Sequence, residues 1–308
     1  MTRTFALLLL FVAPCLAPSA APAAETPETI LIRQALDADK FGRRRGDAEM
    51  VRDILAERFV VYDAGGSHDP RGWTVAHETR DAYSQLVDAD LAEKRYAIER
   101  FVSFIHVRGT NAFATTVDSG QVAPRQGGDA APYLMRRLWF FTKIEDKWLS
   151  TSVVEHLGDG EPAQASPPAA GLAAWFEEEA SAWNDGDTGE IIDLAADNFV
   201  GYDGADLTDP AKWVILFSGN EEWERWVNRR LESTDYTLQR TLLAGHIGPG
   251  GDEAVAVTRE QVQTAHGAGP ATHTRQRHVL WALSRDGSSW RVNHVLYNVG
   301  IIQAATGQ

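Results

Sequence analysis

The strongest constraint on this chain is a stretch that it writes twice: FVVYDAGGSHDPRGW at 59–73 returns as FVGYDGADLTDPAKW at 199–213. Phe59, Val60, Tyr62, Asp63, Asp69, Pro70 and Trp73 recur 140 residues later as Phe199, Val200, Tyr202, Asp203, Asp209, Pro210 and Trp213, with no insertion. A fixed period of this length means two copies of one domain. The same offset pairs Gly46-Asp47 with Gly186-Asp187, Tyr83 with Trp223, Arg100 with Arg240, His106 with His246, Gln121 with Gln261 and Arg137 with Arg277. The register is expected to slip by two only at the last hairpin, where IEDKW ending at Trp148 becomes SRDGSSW ending at Trp290.

Two copies fit the bulk numbers. At 308 residues, 44% hydrophobic and 23% charged, the chain can bury two ordinary cores. A net charge of −14 argues against nucleic-acid backbones and anionic lipid surfaces as partners, both of which call for a basic face. Arg3, the apolar run 5–12 and the small residues up to Ala24 have the three regions of a secretory signal peptide, so the product is expected in the periplasm or outside the cell. Cleavage near Ala24 removes Cys15, the only cysteine, and with it disulfides, thiol nucleophiles and cysteine-bound zinc. The expected layout is a signal peptide at 1–24, a first domain at 28–158, a Pro/Ala-rich linker at 159–170 and a second domain at 171–302.

Within each copy the apolar spacing predicts a long first helix ended by Gly-Asp, a short second helix, the FVxYD strand and a third helix with a buried stripe. That stripe is Tyr83, Leu86, Val87 and Leu91, matched by Trp223, Trp226, Val227 and Leu231. Asp69-Pro70 and Asp209-Pro210 read as caps that begin a helical turn. Four β-rich stretches follow, near 94–107, 111–122, 133–144 and 148–157, with counterparts 140 to 142 residues later. The third carries Leu138, Trp139, Phe140 and Phe141, apolar on both alternating faces. One face can cover the helices, and the other needs a second sheet or another chain.

The helix ends RRRGD and WNDGD, the FVVYD and FVGYD strands, and the closing hairpins FFTKIEDKW and ALSRDGSSW resemble the nuclear transport factor 2-like superfamily with its SnoaL-like branch. The resemblance implies an α+β fold: two tandem cones, each with three helices on a curved antiparallel sheet, paired sheet to sheet as an intramolecular pseudo-dimer. The superfamily holds isomerases, dehydratases and hydrolases beside non-catalytic binding and assembly domains, so fold alone does not choose. Asp63 and Asp203 fall where the ketosteroid isomerases place a general base. The two oxyanion donors of those enzymes would fall at Asp39 and Glu179, and at Arg137 and Arg277, so neither donor is present.

The candidate chemistry is therefore sparse. Asp63 and Asp203 read either as Asx turns that end a strand or as desolvated general bases, and His106 and His246 as rim residues or proton-exchange partners. Arg137 and Arg277 read as internal salt bridges, to Asp39 or Glu179, or as captors of a ligand anion. Tyr62, Tyr202, Gln121 and Gln261 complete the expected ligand-binding set. No cofactor is expected, and no metal: Asp203, Asp206 and Asp209 lack calcium-loop spacing, and His273 and His278 point to opposite faces of a strand. Two functions stay open. One is an exported module binding a small apolar molecule or a partner segment in its cones; the other is a dehydratase, isomerase or hydrolase using a pocket aspartate.

Overall fold

The computed structural model describes residues 25–160, 169–233, 235–265 and 272–301. The expected leader with Cys15, most of the linker, and Ile302 lie outside these residues. In the first half, α1 (Pro27–Arg45) starts at Thr26, whose side chain accepts from the Thr29 N–H, and stops at Gly46, where φ is 73°. Glycine carries that left-handed conformation without a Cβ clash, and Asp47 then caps α2 (Ala48–Arg52). Strand β1 (Leu55–Asp63) leads to β2 (Thr74–His77) and α3 (Arg80–Glu93), then to β3 (Lys94–Arg108), β4 (Asn111–Pro124), β5 (Ala131–Ile144) and β6 (Lys147–Glu155). The second half repeats the order as α4 (Ala170–Asp185), α5 (Thr188–Asp193), β7 (Ala195–Leu207), β8 (Val214–Ser218), α6 (Asn220–Ser233), β9 (Asp235–Ile247), β10 (Glu253–Ala265), β11 (Thr272–Asp286) and β12 (Ser289–Val299). The Gly-Asp stop recurs, with Gly186 at φ 69° and the Asp187 side chain accepting from the Glu190 N–H.

Asp69 and Asp209 cap single 3-10 turns that begin at proline, as the Asp-Pro pairs predict. The short strands β2 and β8 behind those turns are additional to the expected set, being only four and five residues long. Each sheet has six strands, in the orders β2-β1-β6-β5-β4-β3 and β8-β7-β12-β11-β10-β9. The expected antiparallel sheet is in fact mixed, because β1 runs parallel to β6 and β7 parallel to β12. The chain returns from its β3 to β6 meander on the inner side of β1, and helices have meanwhile reversed the direction between them.

The alternation in β5 divides the core. Trp139 and Phe141 turn toward the helices and join Ile32, Leu36 and Tyr83 in one buried cluster. Leu138 and Phe140 turn the other way, into a cluster that also takes Tyr202, Val255, Leu280 and Leu296 from the second half. In α3 the expected stripe is buried at Tyr83, Val87 and Leu91, but Leu86 is 46% exposed and belongs to the solvent side.

Pairing within the sheets relocates the repeat's slip. Val107 lies opposite Ala112 in the first half, and Ile247 opposite Ala254 in the second, so the turn between β9 and β10 is two residues longer than its counterpart. The offset is 140 through β3 and 142 from β4 onward, not only at the last hairpin. Arg137 therefore corresponds to Val279, Arg277 to Met135, and Gln121 to Gln263; the expected pairs Arg137/Arg277 and Gln121/Gln261 are not equivalent positions.

The longer turn has a structural use. Backbone N–H groups of Gly250, Gly251, Asp252 and Glu253 all donate to the carboxylate of Glu78, which follows β2 in the first half. Successive amides converging on one carboxylate form an anion nest. At the equivalent place on the other side, Asn111 donates to the Ser218 hydroxyl at 2.6 Å, and Arg108 donates to the carbonyls of Ile215 and Leu216.

Beside the nest lies Glu253, 3% exposed, whose Oε1 accepts from Arg58 Nη2 at 2.8 Å. Burial pushes its carboxyl up to about 7, and Arg58 offsets this only in part. An acid held above its unfolded value contributes stability that is complete below about 4.5 and is lost as pH rises through about 7. Relative to Glu253→Gln, the wild type should thus lose stability between these two pH values and level off above them. Urea midpoints across the range would show this, and a difference independent of pH would contradict it.

Candidate functional site

The sequence-predicted residues separate into three places. Tyr62 and Tyr202 lie in the cluster shared by the two halves, 4% and 2% exposed, and not in either cone. His106 and His246 lie on the same side: the His106 ring is 5.4 Å from Phe113 of that cluster, and His246 Nδ1 accepts from the Val75 N–H at 3.1 Å. Burial lowers the pKa of both histidines, and the bond from Val75 requires a neutral acceptor nitrogen on His246. Gln121 is exposed, and Gln261 faces away from Val262 and Glu260, which turn inward.

Asp63 and Asp203 end their strands as Asx turns. Asp63 Oδ1 accepts from the Gly65 N–H at 2.8 Å, and Asp203 Oδ1 from the Ala205 N–H at 2.9 Å. Each has a second partner that the repeat did not single out. His156 Nδ1 lies 3.1 Å from Asp63 Oδ1, and Asn298 Nδ2 donates to Asp203 Oδ1 at 2.9 Å. His156 and Asn298 occupy the same position at the end of β6 and β12, and both have positive φ, 55° and 52°. The bond from His156 is the chief reason that the Asp63 carboxyl is held below its usual range, and the same bond raises His156. Only the correct offset of 142 aligns this pair, and the change of residue type conceals it.

The arginines make the third group. Arg137 is 2% exposed; its Nη1 donates to Asp118 at 2.6 Å and its Nε to Glu155 at 2.7 Å. Asp118 also accepts from Arg100, which reaches Asp39, and Asp39 is paired with Arg43. Arg43 in turn donates to the Tyr83 hydroxyl, which donates to Glu155. Burial alone would raise Asp39, but Arg43, Arg100 and Arg137 outweigh it and hold the carboxyl far below the ordinary range. The expected salt bridge of Arg137 is thus real, though its direct partners are Asp118 and Glu155. Each charged member of this network in the first cone thus has an opposite partner.

The second cone retains less of it. Arg240 is paired with Glu179 and Glu260, and Arg277 with Glu260, but Trp183 stands at the place of Arg43 and Tyr297 at that of Glu155. A cavity of about 270 Å³ opens here, bounded by Asp203, Trp226, Arg230, Arg275, Arg277 and Tyr297, with Val262, Thr264, His273 and Asn298 also on its wall. In the first half the counterpart of Arg275 is Tyr133, whose ring packs edge-on to Tyr96 at 5.3 Å. Of the expected site residues, the structure brings together Asp203 and Arg277 around one void, and leaves the histidines and tyrosines elsewhere.

A larger cleft of about 590 Å³ lies between the halves, touching Arg58, Tyr62, Arg80, Asn198 and His294. Of its cations, Arg58 is committed to Glu253 and Arg80 donates to the Arg52 carbonyl, and burial lowers His294 to about 4, so that it is neutral. Among the described residues no group of three or more His, Cys, Asp or Glu could hold a metal ion. Asp209 is used as a cap, accepting from the Ala211 N–H at 3.0 Å.

Each half has an α+β architecture, helices packed on a six-stranded sheet, and the chain carries it in two tandem copies. It is similar to a ketosteroid isomerase-like protein from Erwinia carotovora atroseptica, at 15% identity over 42% of this chain and 96% of that one, with a TM-score of 0.36. It is also similar to a nuclear transport factor 2-like protein of unknown function from Shewanella baltica, at 15% identity over 42% and 92%, TM-score 0.33. A third is a protein from Planctomyces limnophilus, at 14% identity over 42% and 94%, TM-score 0.36. No family model and no curated protein matches the chain.

The Asx turns give a direct expectation. Asp63→Asn and Asp203→Asn keep the oxygen that accepts the turn N–H, so each should change stability by less than about 1 kcal/mol. Thermal unfolding of the two variants measures this, and a loss of several kcal/mol would mean that the negative charge itself supports the fold.

Proposed function

We propose that this chain is an exported tandem binding protein in which the second cone takes up a small molecule and the first serves as its structural partner in an intramolecular pseudo-dimer. The observation that carries the reading is the difference between the two interiors. Where the first cone holds a closed set of ion pairs through Arg43, Arg137 and Glu155, the second holds a cavity of about 270 Å³ walled by Trp226, Tyr297 and Arg277. A concave site with an aromatic wall and a few convergent polar groups is the usual form of a small-molecule pocket. The small residues and apolar run of 1–24 support export. The cluster that joins Leu138 and Phe140 to Tyr202 and Leu280 supports the pairing.

An enzyme using a pocket aspartate as base is favoured by one observation, the 3.1 Å contact of Asp63 with His156. Against it, that contact lowers the Asp63 carboxyl and so weakens it as a base. In the second cone, the partner of Asp203 is an amide, which cannot exchange a proton.

Calorimetric titration with a panel of apolar, carbonyl-bearing, epoxide and acidic ligands, with product analysis of each mixture, tests the reading. One ligand should bind per chain, without conversion, and Thr264→Trp, which fills the second cavity, should abolish binding. Two ligands per chain, or turnover lost on Asp63→Asn, would overturn it.

A further inference from the structure

The two cones finish the same pair of strands differently. In the first, His156 partners the carboxylate of Asp63; in the second, Asn298 stands in that place, and its Nδ2 donates to Asp203 Oδ1 at 2.9 Å. The same oxygen accepts from the Ala205 N–H at 2.9 Å. Among the described residues, Asp203 Oδ2 accepts no hydrogen bond and no cation pairs with this carboxylate, which lies on the wall of the cavity.

The amide beside it leaves a second acceptor unused. Asn298 is 4% exposed, and its bond to Asp203 fixes which end of the amide is the nitrogen, because a carboxylate only accepts. Its Oδ1 is then a buried acceptor with no hydrogen-bond partner among the described residues, on a side chain that lines the same cavity. Such a group is costly when left unpaired. Two neighbouring side chains thus offer acceptors to one void, and the group they lack is a donor.

The rest of the wall bears on shape and charge. Trp226 and Tyr297, both on the cavity wall, stack at 5.5 Å and 19° and form an apolar aromatic surface. The guanidinium groups nearby are engaged or hydrated: Arg277 donates to Glu260 at 2.8 Å, Arg230 lies over the Trp226 ring at 4.1 Å, and Arg275 is exposed. An acid therefore gains no sheltered cation here, and its carboxylate cannot supply the missing donor. None of this arrangement exists in the first half, where Trp226, Tyr297 and Asn298 correspond to Leu86, Glu155 and His156.

We propose that the second cone selects an uncharged planar molecule that carries an O–H or N–H, of the chemical kind of a phenol or an indole. Its donor is taken by the acceptor pair Asp203 Oδ2 and Asn298 Oδ1, and its ring lies against Trp226 and Tyr297. A void of about 270 Å³, at the lower end of the size of small-molecule sites, admits one or two rings. This rests on the reading of the second cone as the binding site, and adds the class of ligand.

The probes are 2-naphthol and indole, each beside a relative that has a methyl group in place of the donor hydrogen or hydroxyl, 1-methylindole and 2-methylnaphthalene. All four are titrated calorimetrically into the full chain. At least one donor should bind about tenfold to a hundredfold more tightly than its methyl relative, the gain expected of a hydrogen bond to a charged acceptor. In Asp203→Asn the side-chain oxygen stays with Ala205 and Asn298, so a nitrogen that donates replaces Oδ2; Asn298→His rebuilds the pair of the first cone and removes the amide oxygen. Each substitution should remove most of the donor's advantage and leave binding of the methyl relative unchanged. 2-Naphthoate, which offers only acceptors, should bind more weakly than 2-naphthol. Equal affinity within both pairs, with binding still abolished by Thr264→Trp, would overturn the proposal while leaving the second cone as a site. An advantage that survives both substitutions, an equal loss of donor and methyl relative in them, or tighter binding of 2-naphthoate would also overturn it. Binding of none of the four probes would overturn the proposal, and the reading beneath it falls as well only if the wider ligand panel fails to bind.

Discussion

The physical constraint on which the rest of this structure depends is that each sheet is apolar on both faces. In β5, Trp139 and Phe141 are buried on one side and Leu138 and Phe140 on the other, and three helices can cover only one of them. The remaining face is buried with side chains of the second half, and that burial takes Tyr62, Tyr202 and Phe113 with it. Polar groups at this boundary serve the same end: the nest around Glu78, the bond from Val75 to His246, and the pair of Arg58 with Glu253. Residues held by such contacts are poorly placed to bind a ligand, which leaves the cone interiors as the place where the two copies can differ in function.

There they do differ. Both interiors keep an arginine on the third long strand position of the helix side, Arg100 and Arg240, tied to an acid on the first helix, Asp39 and Glu179. Around that shared pair the first half adds Arg43, Arg137, Glu155 and Tyr83, each charge meeting an opposite one. The second half substitutes Trp183, Tyr297 and Trp223, which pack by their faces and edges and leave Arg277 and Arg230 stacked on rings. Buried charges need complete pairing or they destabilise the fold, so the first interior is fixed in place. Aromatic walls make no such demand and allow a void.

Much of the fold was legible in the sequence because duplication turns one pattern into two. The helix stops at Gly46 and Gly186, the Asp-Pro turns and the two-faced β5 are all local signals that recur. The strands β2 and β8 were not legible, since four or five residues after a turn carry no periodicity of their own. The position of the slip was missed for a physical reason. A shift of two residues along a strand leaves every side chain on the same face, so the offsets of 140 and 142 give the same inward and outward pattern. Chance identities such as Gln121 with Gln261 then favoured the wrong one. The site suffered most, because His156, Asn298 and Arg230 differ in type from their counterparts and leave no trace in a repeat, while Trp226 is legible only as part of an apolar stripe.

The central claim is that ligand enters the second cone and no other part of the molecule. Nuclear magnetic resonance of the full chain titrated with a ligand that binds from the calorimetric panel tests it most directly, through the side-chain resonances of tryptophan and asparagine. The Asn298 side-chain amide and the Trp226 indole should shift together and saturate, while the indoles of Trp139 and Trp148 in the first cone stay unmoved. Shifts in the first-cone indoles, or at His294 in the cleft between the halves with Asn298 and Trp226 unchanged, would contradict it.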